Sequence, residues 1–471
     1  MMYNPENQYR CVIIRGKSQT EMEDLLPMYA NMVHSICPCT SEEFDERGNR
    51  FLSKVLYNND SFRELTKAKK KTIRNHLTEI AGKLLALYYR TEDGYVLETG
   101  MCQLLREMND FPLFFKNLCI NFQFPNGTNK ITEVQNRVEL GIHIKPYCYI
   151  VSLLYFAQSK KILLTKQEVG YYVLNNLDVL KGAIPVQEVF DRIISDRKKK
   201  VIRPKLSGSY EWQHIKEQFN MLELANVVIT DSRYIWLNKE ESPAISLFIK
   251  HLTPTFDVNS YNLDSNDGRD AFYSDWGKYY GTVNEELLKL GTSFSNQPIE
   301  IADKKSQIAE KGAVGLTSVD LGDKGEALVY RLECERVRNY KERLVNKVLL
   351  LGKTKGLGYD ISSIEADENP AKPEFARYIE VKSTTRITEP SFDSIWTDSL
   401  NITSKEWIAA EQYGDYYNIY RVYFTKKKTI IIRIQNPYQK YLSKDIEVFP
   451  TIYQMNFGAS VIEKRYDKEE V

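Results

Sequence analysis

The chain has 471 residues, of which 42% are hydrophobic, and 64 Lys and Arg stand against 63 Asp and Glu. This length predicts two or three domains with sizeable cores, and the formal net charge of +1 argues neither for nor against a nucleic-acid partner. Seven Cys without a CxxC pair argue against a zinc site and fit reduced thiols in the cytoplasm. Because the sequence has no long apolar stretch, it gives no indication of secretion or of a membrane span.

Residues 41–98 predict a helical unit that ends in a β-hairpin. Apolar residues recur at helical spacing over 42–56 and 67–87, and two alternating strands follow around Asp93-Gly94. Two helices and a two-stranded wing are typical of the winged-helix variant of the helix-turn-helix. In that interpretation the front of the second helix contacts DNA through Lys69, Lys70, Lys71, Arg74 and Asn75. The alternative is a solvated helix face.

Residues 144–237 predict a second unit with the same order of elements. Thr165 and Glu168 have capping-box spacing before a helix, and a later helix leads into a hairpin whose strands cover 226–230 and 234–237. The most basic run of the chain lies inside this unit: Arg197, Lys198, Lys199 and Lys200. We therefore expect residues 1–252 to recognise DNA, since basic runs supply phosphate affinity and a few polar side chains discriminate bases.

Residues 253–320 predict a connector. The stretch 257–268 is polar and rich in turn residues, a short helix is expected near 283–290, and 302–311 is polar and expected to be exposed. Such a linker would let the following domain move relative to the DNA-recognition region.

Residues 321–471 predict a second, α/β domain. An opening helix carries Glu326 and Glu333, and a buried first strand is expected over 345–351. Thr403 is expected to cap a further helix, which two strands at 416–424 and 429–434 follow. All five His precede residue 252, which excludes a nuclease of the His-metal type in this domain.

Two short alternating segments, 359–364 and 378–382, carry three side chains of interest. Glu380 and Lys382 share one strand face, and if the two strands pair, Asp360 converges with them at one end of a sheet. Two adjacent carboxylates repel each other, and a divalent cation between them relieves that repulsion. A neighbouring lysine can hold a water or a developing phosphate charge, so the set predicts metal-dependent phosphodiester cleavage. The alternative is an exposed ion pair between Glu380 and Lys382.

Asp360 followed by Glu380-Val381-Lys382, in an order of helix, three strands, helix and strand, resembles the PD-(D/E)XK nuclease superfamily. More narrowly, the chain from 321 to 434 resembles the nuclease-like domain first named from the C-terminus of the plant protein NO VEIN. That resemblance rests on GE at 325–326, E at 333, GYDI at 358–361, IEVKS at 379–383 and ITxxEW at 402–407. One departure is the separation of Asp360 and Glu380 by nineteen residues, which predicts an extended hairpin loop that contains Glu365, Asp367, Glu368 and Glu374.

The resemblance implies a mixed restriction-endonuclease-like sheet flanked by helices and a Mg²⁺-dependent endonuclease. It implies that Asp360, Glu380 and the backbone carbonyl of Val381 bind Mg²⁺ and that Lys382 orients the attacking water. The products it implies carry 5′-phosphate and 3′-hydroxyl ends.

The resemblance also implies that one glutamate of the opening helix helps to hold the metal-bound water. Glu326 and Glu333 are seven residues apart, so both can face the same end of the sheet. Glu333 is slightly favoured for this role, and the alternative for each is a surface position on the helix.

We therefore expect a site-specific endonuclease of double-stranded DNA with separate reader and cutter, which cuts outside its site as type IIS restriction enzymes do. One active site cuts one strand, so cutting both strands requires transient pairing of two nuclease domains. Two alternatives stay open: a methylation-dependent restriction enzyme, and a non-catalytic DNA-binding protein of defence or regulation.

Overall fold

The computed structural model describes residues 17–203, 209–290, 318–352, 356–393, 396, 398–446 and 448. These residues form a mainly helical N-terminal region up to residue 290 and a C-terminal domain that begins at residue 318. None of the helices within the described ranges is long and apolar enough to cross a bilayer. The 291–317 part of the predicted connector lies outside the described residues.

Helices dominate the N-terminal region because many of its segments begin at a residue that can cap a helix. Thr40, Thr66, Thr99 and Asp110 each accept a hydrogen bond from the backbone N–H three positions later, and the predicted capping box at Thr165 is confirmed. Two helices continue as π-helical stretches, Asn75–Leu84 after α3 and Gly170–Leu174 after α8. The helices are α1 (Gln19–Ile36), α2 (Ser41–Tyr57), α3 (Lys67–Arg74), α4 (Gly100–Met108), α5 (Phe111–Asn121), α6 (Ile131–Glu139), α7 (Pro146–Ser159), α8 (Lys166–Val169), α9 (Leu177–Leu180), α10 (Val186–Lys198), α11 (Ser209–Leu224), α12 (Ser242–Lys250), α13 (Asn266–Tyr280) and α14 (Glu285–Leu288).

Two three-stranded antiparallel sheets lie within this region, and in each the last strand in sequence occupies the middle. The first sheet consists of β1 (Cys39–Thr40), β2 (Tyr88–Arg90) and β3 (Tyr95–Glu98). The second consists of β4 (Leu164–Thr165), β5 (Val228–Thr230) and β6 (Tyr234–Leu237). In both, helices separate the first strand from a hairpin, so the two predicted units have the same topology.

The first part of the predicted connector is instead part of the N-terminal core. Phe272, Trp276 and Tyr280 follow one another at four-residue spacing on α13 and are buried, as are Phe256 and Leu287. A Cβ placed on Gly127 would lie 2.5 Å from the Trp276 ring, so the turn at Gly127 packs directly on this helix. The expectation of a connector is therefore corrected for residues 253–290: large aromatic side chains set among polar residues bury this segment in the N-terminal core.

The C-terminal domain is built on a five-stranded mixed sheet of order β11-β10-β9-β8-β7. Strands β9 and β10 are parallel, and the other neighbours are antiparallel. Helix α15 packs its apolar residues on one face, whereas α16 packs on the other face. The elements are α15 (Ser318–Tyr340), β7 (Leu349–Leu350), β8 (Ile361–Ile364), β9 (Ala376–Arg386), α16 (Ser404–Tyr413), β10 (Tyr417–Thr425), β11 (Thr429–Gln435) and α17 (Pro437–Leu442).

The first strand of this sheet is shorter and more exposed than its sequence predicts. The expected buried strand over 345–351 is reduced to β7, where Leu349 is 50% and Leu350 is 47% exposed, although Val348 is buried. A short 3₁₀ helix, Glu342–Lys347, occupies the preceding residues. Since β7 lies at the edge of the sheet, only one side of it is paired, and an apolar run alone does not distinguish an edge strand from a central one.

The end of the long strand β9 contacts the N-terminal region. Arg386 is buried, and its Nη2 lies 2.7 Å from Asp24 Oδ1 on α1. Glu23, also buried, accepts the two backbone N–H groups that follow Arg386 at 2.7 and 2.8 Å. The backbone N–H of Thr385 donates to the carbonyl of Asn109 at 2.8 Å. One strand therefore connects the interior of the C-terminal sheet to the first and fourth helices of the N-terminal region.

Candidate active site

The structure brings Asp360, Glu380 and Lys382 together. Strands β8 and β9 pair with Ile361 opposite Ile379, which places Asp360 beside Glu380 just beyond the last paired residues. Asp360 Oδ2 accepts the backbone N–H of Val381 at 2.8 Å, and the charge of Asp360 acts on the neighbouring carboxyl group of Glu380. Lys382 Nζ lies 2.7 Å from Glu380 Oε1. The three side chains thus converge at one end of the β8–β9 pair, as the alternation of the two strands predicts.

The two carboxyl groups of this cluster are electrostatically costly. Burial raises the pKa of Glu380 to about 9, and the neighbouring charges of Asp360 and Glu406 add to the effect, while Lys382 opposes it. Burial likewise raises the pKa of Asp360. Because the pKa of Glu380 is raised above 7, this carboxyl group keeps a proton near neutral pH in the metal-free protein. A divalent cation is the usual alternative to such a proton.

A third acid belongs to this cluster, and its role was not predicted. Glu406 lies in the first turn of α16, where its Oε2 accepts the backbone N–H of Thr403 at 2.9 Å and approaches Lys382 Nζ at 2.8 Å. Burial raises the pKa of Glu406, but Lys382 and Thr403 outweigh it and lower that pKa below its ordinary value. The sequence places Glu406 only in the first turn of the helix that Thr403 caps, although its place in the ITxxEW motif is a signal that could have drawn attention to it.

The structure does not bring Glu333 to the cluster. Glu333 is buried on the other face of the sheet, where its carboxylate accepts hydrogen bonds from the hydroxyls of Ser363 and Tyr420, each at 2.7 Å, and from Arg336 at 2.6 Å. Tyr420 is the register partner of Val381, whose side chain points away from the face of Glu380. The preference for Glu333 is therefore corrected: its carboxylate is held in a buried ion pair with Arg336.

Glu326 lies closer to the cluster. A Cβ placed on Gly352 would be 2.1 Å from Glu326 Oε2, so this carboxylate packs against the backbone just after Leu351. The N–H of Leu351 in turn donates to the carbonyl of Asp360 at 2.6 Å. Of the two helical glutamates, Glu326 is thus the one that lies beside the start of β8.

The acids of the long β8–β9 loop are paired elsewhere. Glu365 and Glu368 both bind Arg377 at 3.0 Å, and Glu374 binds Lys347 at 2.6 Å. These contacts hold the loop on the side of the sheet away from Lys382. Asp360 of the GYDI segment is therefore the acid that lies beside Glu380, and these three loop acids do not lie there.

The oxygen donors at this end of the sheet suit a hard cation. The N–H of Val381 points to Asp360, and the N–H and C=O of one strand residue point to the same edge, so the Val381 carbonyl also lies on that side. Carboxylate and carbonyl oxygens are what Mg²⁺ binds, and Mg²⁺ keeps several waters besides one or two carboxylates. No group of three or more His, Cys, Asp or Glu side chains is arranged to hold a metal within the described ranges, so the fit rests on two carboxylates and one carbonyl.

The predicted DNA-contact residues of the first unit lie on the exposed side of α3 and the stretch that continues it. Lys69 Nζ lies 4.7 Å from the centre of the Tyr57 ring, and the guanidinium of Arg74 lies 5.7 Å from the centre of Phe62. Lys70 donates to a backbone carbonyl at 2.7 Å, Lys71 is exposed, and Asn75 is half-buried.

The basic run of the second unit divides into two parts. Arg197 forms a two-pronged ion pair with Glu168, with distances of 2.7 and 2.6 Å, and this contact holds the end of α10 against α8. Lys198, Lys199 and Lys200 follow it at the exposed end of the same helix.

Comparison with known proteins gives matches for both parts of the chain. The family described as "Restriction endonuclease BpuJI - N terminal" matches residues 3–277, and the family described as "Protein NO VEIN, C-terminal" matches residues 325–434. The second match confirms the resemblance of the C-terminal domain. No curated protein matches the chain.

A solved structure matches the N-terminal region. It is described as "Crystal structure of pyrene- and phenanthrene-modified DNA in complex with the BpuJ1 endonuclease binding domain". The identity is 40% and the TM-score 0.54, and the match covers 59% of this chain and all of that one. The N-terminal family match spans more than half of the 471 residues of this chain. The chain therefore belongs to the BpuJI family of restriction endonucleases.

Proposed function

We propose that this protein is a site-specific, Mg²⁺-dependent endonuclease of double-stranded DNA, in which the N-terminal region reads the sequence and the C-terminal domain cuts. The observation that carries the proposal is the convergence of Asp360, Glu380 and Lys382 at one end of the β8–β9 pair. A buried and a half-buried carboxyl group beside a lysine form a set that hydrolysis of a phosphodiester can use.

For the N-terminal region we propose two winged-helix DNA-binding units. Both three-stranded sheets have the middle strand last in sequence and a hairpin that can act as the wing, and the related solved domain is described in complex with DNA. Lys69, Lys71 and Arg74 are exposed on α3 and are proposed to contact phosphates, with Lys70 and Asn75 beside them. In the second unit Lys198–Lys200 take this role, because Arg197 is already bound to Glu168.

For the cutting step, Asp360, Glu380 and the Val381 carbonyl are the groups that would hold Mg²⁺. When bound, the metal supplies charge stabilisation and lowers the pKa of a coordinated water. Lys382 directs its ammonium group toward the same space, where it can hold the attacking water and balance the negative charge that develops on the phosphate. We propose that Glu326, rather than Glu333, assists from the end of α15.

The part of the chain that the structure describes contains one such site, so we propose that two nuclease domains pair transiently to cut both strands. Separate reading and cutting parts favour cleavage at an offset from the recognition sequence, as in type IIS restriction enzymes.

The test is to incubate the protein with a long unmodified DNA in Mg²⁺ and to sequence the ends. We expect discrete cuts at a fixed offset from one sequence, with none in EDTA. Asp360→Asn and Lys382→Ala should each lose at least about 10²-fold in rate, whereas Glu374→Gln, which alters an exposed ion pair of the loop, should cut normally. Cleavage by Asp360→Asn at the wild-type rate would contradict the assignment.

The same assay, repeated with plasmid that carries or lacks modified cytosine, separates the two alternatives. Cleavage only of plasmid that carries modified cytosine would identify a methylation-dependent enzyme. Binding to DNA without any cleavage in Mg²⁺ would identify a non-catalytic protein.

A further inference from the structure

Lys382 has two carboxylate partners that come from different elements. Its Nζ lies 2.7 Å from Glu380 Oε1 on the same strand and 2.8 Å from Glu406 Oε2 on α16. In the proposed function Glu380 also binds the cation, so its oxygens have to serve two positive groups. Glu406 is not among the proposed ligands, and its contact with Lys382 therefore does not compete with cation binding.

The Glu406 carboxylate is itself held in place. Its Oε2 accepts the Thr403 N–H at 2.9 Å, and Thr403 Oγ1 accepts the N–H of Glu406 at 3.3 Å. This reciprocal cap fixes the side chain to the first turn of α16, where the helix N-terminus favours negative charge. Lysine, in contrast, has a long stem with four rotatable bonds and needs a fixed partner to keep one position.

The first turn of α16 is also fixed relative to Asp360. Gly358 of the GYDI segment has φ +77°, and a Cβ at this position would lie 2.6 Å from the carbonyl oxygen of Lys405. Tyr417 on β10 donates its hydroxyl to the Gly358 carbonyl at 2.8 Å. The absence of a side chain at Gly358 therefore lets the segment that leads to Asp360 rest directly on the turn that carries Glu406.

We propose that Glu406 is the positioning residue for Lys382: it holds the ammonium group at the cleavage site while Glu380 is engaged by the cation. This inference rests on the proposed function and adds to it the residue that acts through Lys382. Loss of such positioning is expected to reduce the cleavage rate by about 10²-fold without weakening DNA binding.

The test compares Glu406→Gln and Glu406→Asp with Glu411→Gln. Gln keeps the size of the side chain and can still accept the Thr403 N–H, but it lacks the charge; Asp keeps the charge but is too short to reach Lys382. Glu411 lies on the same helix, is exposed and binds the Tyr438 hydroxyl at 2.7 Å, so its replacement controls for a change of charge on α16.

Three quantities are measured: the single-turnover cleavage rate in Mg²⁺, the affinity for DNA in Ca²⁺, and the ¹³C relaxation of the labelled Lys382 side chain in Ca²⁺. Both Glu406 variants should cut about 10²-fold more slowly, bind DNA like the wild type and show a mobile Lys382. Glu411→Gln should match the wild type in all three.

Wild-type rates in both Glu406 variants, or a Lys382 side chain that stays as ordered as in the wild type, would overturn the inference. If the wild-type protein still cleaved DNA in that case, the proposed function would remain supported. If the wild-type protein cut no DNA, the proposed function would fail first, and the relaxation measurement would still decide whether Glu406 orders Lys382.

Discussion

Replacing Glu380 by Gln should stabilise the protein, and the gain should grow with pH. Burial raises the pKa of Glu380 from its ordinary 4.5 to about 9 in the folded, metal-free protein. Between these two values the folded state keeps a proton that the unfolded chain releases. Stability from this group is therefore fully present below pH 4.5 and is lost as the pH rises toward 9.

The magnitude follows from the size of the shift. Each pKa unit corresponds to about 1.4 kcal/mol, so the interval between pH 4.5 and 7 represents about 3 kcal/mol. Glu380 is only 3% exposed, so water screens little of this effect. Gln cannot ionise in either state, and Glu380→Gln should therefore match the wild type near pH 4.5 and exceed its free energy of unfolding by about 3 kcal/mol at pH 7.

The assay is urea unfolding in EDTA at several pH values, with hydrogen exchange of peptides from β8 and β9 to report on the C-terminal domain alone. Glu374→Gln, at an exposed position, serves as the control and should show no comparable gain. Adding Mg²⁺ should stabilise the wild type by about 2.7 kcal/mol at one hundred times the dissociation constant, but not Glu380→Gln, which lacks one carboxylate. A difference between the two proteins that did not change with pH would refute the reasoning.

Four further outcomes are expected. Arg386→Met leaves Glu23 buried without its cationic partner and should lower the free energy of unfolding by about 3–5 kcal/mol, measured by urea unfolding. Glu333→Ala should cost about as much because it breaks the buried ion pair with its arginine, whereas Glu326→Gln should slow cleavage and leave the melting temperature unchanged. Thr403→Ala removes the cap of α16 and should cost about 1 kcal/mol, measured by thermal unfolding.

The sequence was sufficient to bring Asp360, Glu380 and Lys382 together because strand geometry has a period of two. Once the two strands pair, alternation alone decides which side chains share a face, and no tertiary detail is needed. The hairpins of the N-terminal region were predictable for a similar reason, since turn residues between alternating segments act locally.

Other features depended on which surfaces meet in space. The seven-residue spacing of Glu326 and Glu333 places both on one side of α15, but it does not tell which carboxylate lies beyond the edge of the sheet and which lies beneath it. Glu406 lies 24 residues after Lys382 in the sequence. The capping box with Thr403 already explains a glutamate at this position, so the sequence gives no reason to expect a contact with Lys382. The buried aromatic residues of α13 are set among polar ones, so that segment resembles an exposed turn until the core around it is known.

Two buried glutamates on opposite faces of the same sheet show why the face of Glu380 is the one to examine for function. Burial by itself favours the protonated form of both Glu333 and Glu380 and so acts to raise the pKa of each. At Glu333, hydrogen bonds and charge from Arg336 outweigh burial and lower the pKa, as expected of a side chain that stabilises the fold. At Glu380, Lys382 is shared with Glu406 while Asp360 adds a second acid, so the pKa stays raised. Buried acids with raised pKa values cluster at functional sites, and carboxylate and carbonyl oxygens of the kind found around Glu380 are the donors that a divalent cation prefers.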